Sequence, residues 1–150
     1  MIETRLGCCA IIYHENKGEK KYLILHRVLN WTGWELLKGG YDEKPTTLAH
    51  KEKELMRELW EEAGLTHNDY KIEKMLQPKL EFTLQPKTAN ELGHRKAHYD
   101  VFLVKTFTDK IHFKNNEVTE HDAYEWLPLR EATEKLTFEN QKQILKQLIK

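Results

Sequence analysis

Arg57-Glu58-Leu59-Trp60-Glu61-Glu62-Ala63-Gly64-Leu65 is the stretch that decides how this 150-residue chain is read. Three carboxylates stand within five positions, behind an arginine and ahead of a glycine. On a helix, Glu58 lies three and four residues from Glu61 and Glu62, which places all three on neighbouring turns of one face. Like charges stacked in this way repel, so the helix gains nothing from them until a cation binds. Glu-rich helical faces are common and mostly just solvated, so the cluster alone does not define a site. As a ligand set, closely spaced carboxylates suit Mg²⁺, which also takes substrate phosphates as ligands.

The residues around this stretch predict a helix. Thr46 or Thr47 can cap its start, it runs to Ala63, and Gly64 stands where a C-terminal stop belongs. At 3.6 residues per turn, Leu48, Leu55, Met56, Leu59 and Ala63 share one face, expected to pack on a core. Glu54, Glu58, Glu61 and Glu62 form an acidic stripe beside it. Upstream, Leu6–Tyr13 and Lys21–Leu29 read as strands joined by a polar turn containing Gly18, and Trp31–Leu37 is a mixed apolar segment ending in Lys38-Gly39-Gly40. Downstream, Lys71–Gln77 and Leu80–Gln85 read as two strands split by Pro78. Ala97–Phe107 is a strand apolar enough to be central, and Ala123–Leu127 a short one. Leu129–Leu136 forms a helical turn or two. Thr137 can cap a last helix whose core stripe is Phe138, Ile144, Leu145, Leu148 and Ile149. Strands alternating with helices make this a mixed α/β chain, and its length predicts one domain over residues 1–150.

Composition narrows the partners. Lys+Arg and Asp+Glu both total 24, so no global basic field argues for bulk nucleic-acid binding, and no DNA partner is expected. No stretch is apolar and long enough to span a membrane, so no membrane partner is expected either. Cys8 and Cys9 are adjacent within an apolar run, which makes them buried small hydrophobes rather than a disulfide and fits a reducing, cytoplasmic setting. Trp31, Trp34, Trp60 and Trp126 are expected to serve packing.

Residues 57–65 resemble the second half of the Nudix box, which reads G, five residues, E, seven residues, then R-E-U-x-E-E-x-G-U with U aliphatic. Lys38-Gly39-Gly40 resembles its usual lead-in. The resemblance implies a Nudix fold, a mixed β-sheet sandwiched between α-helices. The first half departs from the pattern. Thr46 stands where glutamate is expected after the glycine, and residues 41–56 number sixteen where the box has thirteen. Counted back from Arg57, the glutamate position falls on Ala49. Glu54 lies on the acidic stripe, where a solvated side chain is expected. Within the family, Glu120-His121-Asp122-Ala123-Tyr124-Glu125-Trp126-Leu127 and the tail from Leu136 to Asn140 resemble asymmetrical diadenosine tetraphosphate hydrolases. Similar signals occur in RNA 5′-end pyrophosphohydrolases.

The implied reaction is attack of water on a phosphoanhydride of a nucleoside diphosphate derivative, assisted by Mg²⁺, with Mn²⁺ as the alternative cation. Glu58, Glu61 and Glu62 would hold metal, aided by the carbonyl of Gly39 or Gly40, and Glu58 is the first candidate for the base. Arg57 would orient a glutamate through a bidentate pair. Glu120, with Glu117 as its rival, is the candidate for a further acid from a distant loop. Arg27 and Lys38 are candidates to meet phosphates, as is the cluster Lys87, Arg95 and Lys96, which could also take an RNA 5′ end. Tyr99 and Phe138 are candidates to stack a purine. The rival reading is a nucleotide-binding sensor without turnover, suggested by Thr46 and the insertion.

Overall fold

The computed structural model describes residues 3–84, 95–114 and 118–149. The apolar run Gly7–Tyr13 explains its layout. Successive strand residues point to opposite faces, and this run has no polar alternation, so both faces must be covered. They are. Cys8, Ala10 and Ile12 join one buried cluster with Leu55, Leu59 and Ala63. Cys9, Ile11 and Tyr13 join a second with Ala132, Leu136, Ile144 and Leu145. The sheet therefore lies between the long helix on one side and two short helices on the other, a mixed α+β fold.

In chain order the elements are β1 (Glu3–Asn16), β2 (Glu19–Arg27), β3 (Gly33–Glu35), β4 (Leu37–Gly40), α1 (Leu48–Ala63), β5 (Tyr70–Leu84), β6 (Arg95–Thr106), β7 (His121–Leu127), α2 (Leu129–Lys135) and α3 (Glu139–Lys146). The main path of the sheet is β3-β2-β1-β6-β5, with β4 paired to β1 and β7 to β2. β1 and β6 run parallel, and the other pairs are antiparallel. One edge of β1 changes partner along its length. Gly7–Ala10 pairs with β4, and Tyr13–Asn16 pairs with β2. The turn between β1 and β2 is tighter than the sequence suggests, because Lys17 and Gly18 both take positive φ (54° and 80°). Two residues of that kind match the twist of a hairpin.

The helix α1 starts and stops as expected. Thr47 accepts a hydrogen bond from the backbone N–H of His50, and Gly64 ends the helix in the left-handed region. Its buried face is rotated from the expected one. Leu55, Leu59 and Ala63 are fully buried, but Leu48 and Met56 are exposed. Glu54, Glu58 and Glu62 are buried in their place. Carboxylates can occupy a buried face only when paired, and here they are.

Other expectations are corrected. Pro78 does not split a strand: β5 is continuous and bulges, advancing from Leu76 to Leu80 while β6 moves only from Val101 to Tyr99. A bulge tolerates the missing N–H of proline. Thr137 does not cap α3. Its hydroxyl accepts from the Trp34 N–H at 2.8 Å and its own N–H donates to the Trp34 carbonyl, which ties β3 to the α2–α3 junction. Phe138 takes the N-cap position without a side-chain bond and is exposed, so it leaves the core stripe to Ile144 and Leu145. Trp60 is also exposed, beneath the Lys114 ammonium, rather than packed. Cys8 and Cys9 are free and fully buried. Among the described residues, no helix is long and apolar enough to cross a membrane.

Candidate active site

The turn of β4 into the following loop meets the middle of α1, and Arg57 joins them. Its Nη1 donates to Glu61 at 3.0 Å and lies 3.1 Å from Glu58. Its Nη2 donates to the Gly40 carbonyl at 3.3 Å, and its Nε faces Glu54 and Asp42. One guanidinium thus gathers four carboxylates and a backbone carbonyl, which its planar fork of donors permits. The Gly40 carbonyl is engaged by arginine in this arrangement. Gly39 instead borders the site: a Cβ there would lie 2.3 Å from the Glu58 carboxyl carbon. The glycine lets that carboxylate lie directly on the β4 backbone.

Glu54 is buried rather than solvated, contrary to the expectation from the sequence. It accepts hydrogen bonds from the backbone N–H groups of Asp42 and Glu43 and from Arg57. Burial raises its pKa, but these donors outweigh burial and lower it overall. Glu54 therefore anchors the lengthened loop to the helix. Thr46 stays outside these contacts. Ala49 lines a shallow cleft of about 590 Å³ with Asp42, Glu43, His50, Lys53 and Glu54.

A second network lies beside the first. Glu35 on β3 is 1% exposed and is surrounded by three bases. Arg27 donates to it at 3.1 Å, His121 Nε2 lies at 2.7 Å and the Lys38 ammonium at 3.4 Å. Burial opposes ionisation of Glu35, but the His121 bond and the charges of Lys38 and Arg27 hold its pKa down at about 2. His121 Nδ1 lies 3.2 Å from Glu62, and Arg27 also donates to Glu120 at 2.8 Å. Burial works against protonation of His121, yet its bonds to Glu35 and Glu62 raise its pKa to about 9. Ligand atoms of Glu35, Glu120 and His121 all lie within 4.8 Å of one another.

The structure thus places Glu58 and Glu61 around Arg57, and Glu62, Glu120, Arg27 and Lys38 in the network of Glu35 and His121; among the described residues the ligand atoms that converge within 4.8 Å are those of Glu35, Glu120 and His121, not those of Glu58, Glu61 and Glu62 together. The link between the two networks is α1 itself, which carries Glu58 and Glu62 one turn apart. Sequence reasoning missed Glu35 and did not assign a role to His121. His121 lay beside a quoted candidate, but nothing local marked Glu35, whose role depends on pairing across β2 and β7. Tyr99 is buried, edge-on to Phe82, and touches the Gly7 backbone. Phe138 is exposed and edge-on to Trp31, whose ring also lies under the Arg27 guanidinium. Lys96 is exposed on β6. Glu117 and Lys87 lie outside the described residues, and so does the side chain of Arg95.

Burial pushes the Glu58 carboxyl up to about 7. Arg57 opposes the shift, and the charges of Glu62 and Glu61 add to it. Glu120 is raised as well, by burial and by Glu62. A buried carboxylate that resists ionisation beside like charges fits a site that a cation completes. Carboxylate oxygens are hard donors, which fit a divalent cation.

Architecture and acidic helix together point to a Nudix domain, and membership of that family supports a pyrophosphohydrolase, an enzyme that acts on phosphoanhydride bonds. The NUDIX domain family model matches residues 3–148, and the chain belongs to that family. No curated protein sequence matches the chain. Among solved structures, it is similar to a C. elegans Ap4A hydrolase binary complex, at 18% identity and a TM-score of 0.68, covering 95% of this chain and 93% of that one. It is similar to the E. coli dihydroneopterin triphosphate pyrophosphohydrolase, at 20% identity and a TM-score of 0.68, covering 99% and 98%. It is also similar to the NUDIX domain of Shewanella oneidensis NrtR complexed with ADP ribose, at 16% identity and a TM-score of 0.60, covering 96% and 85%. These likenesses concern the fold, and the three proteins differ in what they act on or bind.

Proposed function

We propose that this enzyme uses Mg²⁺, or Mn²⁺ in its place, to hydrolyse a small nucleotide substrate, and that the substrate is diadenosine tetraphosphate, cleaved asymmetrically to ATP and AMP. The observation that carries the metal-dependent reading is the Arg57 node, which holds Glu58 and Glu61 together beside the Gly39-Gly40 turn. Glu58, Glu61 and Glu62 would hold the cation. When bound, it neutralises phosphate oxygens and acidifies a water molecule. Glu58, packed against Gly39, is our first candidate to accept a water proton. Glu120 is the second acid of the site. Arg27 engages Nε and Nη1 with Leu29, Glu35 and Glu120, and we assign its Nη2, with Lys38, to substrate phosphates. Phe138, exposed beside Trp31, is better placed than the buried Tyr99 to stack a purine. The substrate choice is supported by the Glu120–Leu127 and Leu136–Asn140 segments. The buried free thiols of Cys8 and Cys9 support a cytoplasmic setting.

The test is product analysis after incubation with diadenosine tetraphosphate and Mg²⁺, alongside RNA 5′-triphosphate, nucleoside triphosphates and sugar nucleotides. ATP and AMP in equal amounts, absent from the Glu58→Gln and Glu61→Gln variants, are expected. Faster turnover of another substrate reassigns the substrate. Nucleotide binding without turnover on the whole panel makes the protein a sensor.

A further inference from the structure

His121 is 3% exposed at its side chain, and both of its ring nitrogens face carboxylates. Nε2 lies 2.7 Å from Glu35, and Nδ1 lies 3.2 Å from Glu62. Nε2 is hydrogen-bonded to Glu35 and Nδ1 lies within ion-pair distance of Glu62; because ionised carboxylates only accept, both contacts favour a proton on the ring nitrogen that faces them. The ring itself is held from behind. Glu35 is buried on β3 and fixed by Arg27 and Lys38, while Phe113 lies against the imidazole with centroids 6.0 Å apart. Glu62, in contrast, sits on α1 at the end of the acidic stripe, facing Glu120. A carboxylate between two others needs a donor to choose its rotamer.

We infer that His121 is a positioning residue: anchored to Glu35 through Nε2, it uses Nδ1–H to fix the Glu62 carboxylate in the orientation in which it serves the metal site. This rests on the proposed role of Glu62 as a ligand. The chain of contacts Lys38 and Arg27 to Glu35, Glu35 to His121 and His121 to Glu62 links the β2–β3 edge of the sheet to the helix. Contacts of this kind behind a ligand commonly change metal affinity by about 10- to 100-fold.

Asparagine and glutamine separate the two bonds. The Asn amide nitrogen falls where Nδ1 stands, so His121→Asn keeps the donor to Glu62 and loses the one to Glu35. The Gln amide nitrogen falls near Nε2, so His121→Gln keeps the opposite bond. Both remove the same positive charge, so electrostatic relief of a nearby cation cancels in the comparison. The experiment is Mn²⁺ titration of the full chain, followed by electron paramagnetic resonance without substrate, with circular dichroism confirming the fold. His121→Asn is expected to bind Mn²⁺ about tenfold more tightly than His121→Gln. Equal affinities, or tighter binding by His121→Gln, overturn the inference while leaving the metal site intact. Wild-type Mn²⁺ binding unaffected by Glu61→Gln overturns both the metal site and the role of His121.

Discussion

Gly39→Ala isolates the geometry of the site from the stability of the fold. A Cβ at Gly39 would lie 2.3 Å from the carboxyl carbon of Glu58 and 2.4 and 2.5 Å from its oxygens. Ordinary contact begins near 3.4 Å, so the carboxyl group must withdraw by about 1 Å (3.4 − 2.3). The backbone does not resist, since the positive-φ glycines of the described residues are Gly18 and Gly64. The obstacle is the free end of a side chain, which adapts by a rotamer change costing about 1 kcal/mol. Withdrawal pulls Glu58 from its 3.1 Å contact with Arg57 and from its place in the proposed metal site. A misplacement of about 1 Å at a reacting centre costs on the order of 100-fold in rate, or about 3 kcal/mol of barrier. The expected result is a variant that unfolds within about 1 kcal/mol of wild type yet turns over about 100-fold more slowly. Turnover would be measured on the best substrate of the panel and stability by urea unfolding. A rate within about threefold of wild type, at unchanged stability, would refute the reasoning that Gly39 exists to admit Glu58.

Three further outcomes are expected. Glu58 titrates near 7 in the fold against 4.5 in the unfolded chain, so without metal the unfolded state ionises first as pH rises. Relative to Glu58→Gln, wild type should therefore lose stability between those two values and not regain it above. Mg²⁺ binds the ionised form and should raise the melting temperature more at about pH 8 than at about pH 5. An equal rise at both pH values would remove Glu58 from the ligand set. Glu54→Ala should destabilise the chain by about 2 kcal/mol in chemical denaturation, because the N–H groups of Asp42 and Glu43 lose their acceptor and Arg57 loses a partner. A loss under about 0.5 kcal/mol would mean that the carboxylate is solvated after all.

What was legible in the sequence was local. The apolar run Gly7–Tyr13 marks a strand covered on both faces because strand side chains alternate strictly. Thr47 and Gly64 mark the ends of α1 because capping involves only the adjacent turn. The spacing of Arg57, Glu58, Glu61 and Glu62 marks one helix face, so the candidate ligands could be named from nine residues. Even within that helix, the boundary between core and stripe was misjudged. Periodicity gives the direction of an apolar face but not its width, and Met56 and Glu54 exchanged the places expected of them.

The rest depends on which strands become neighbours. Pairing of β2 with both β3 and β7 brings Glu35 and His121, 86 residues apart, to within 2.7 Å. No local pattern encodes that contact, and an isolated Glu35 in the sequence carries no sign of it. The burial of Glu54 likewise required the loop after β4 to fold back over α1. The sequence by itself determined the elements, the acidic face and the family it resembles, because these follow from chemistry within a few turns of chain. Only the tertiary structure decided which carboxylates are buried, which bases hold them and which titrate near neutrality, because burial and charge pairing are properties of neighbours distant in sequence.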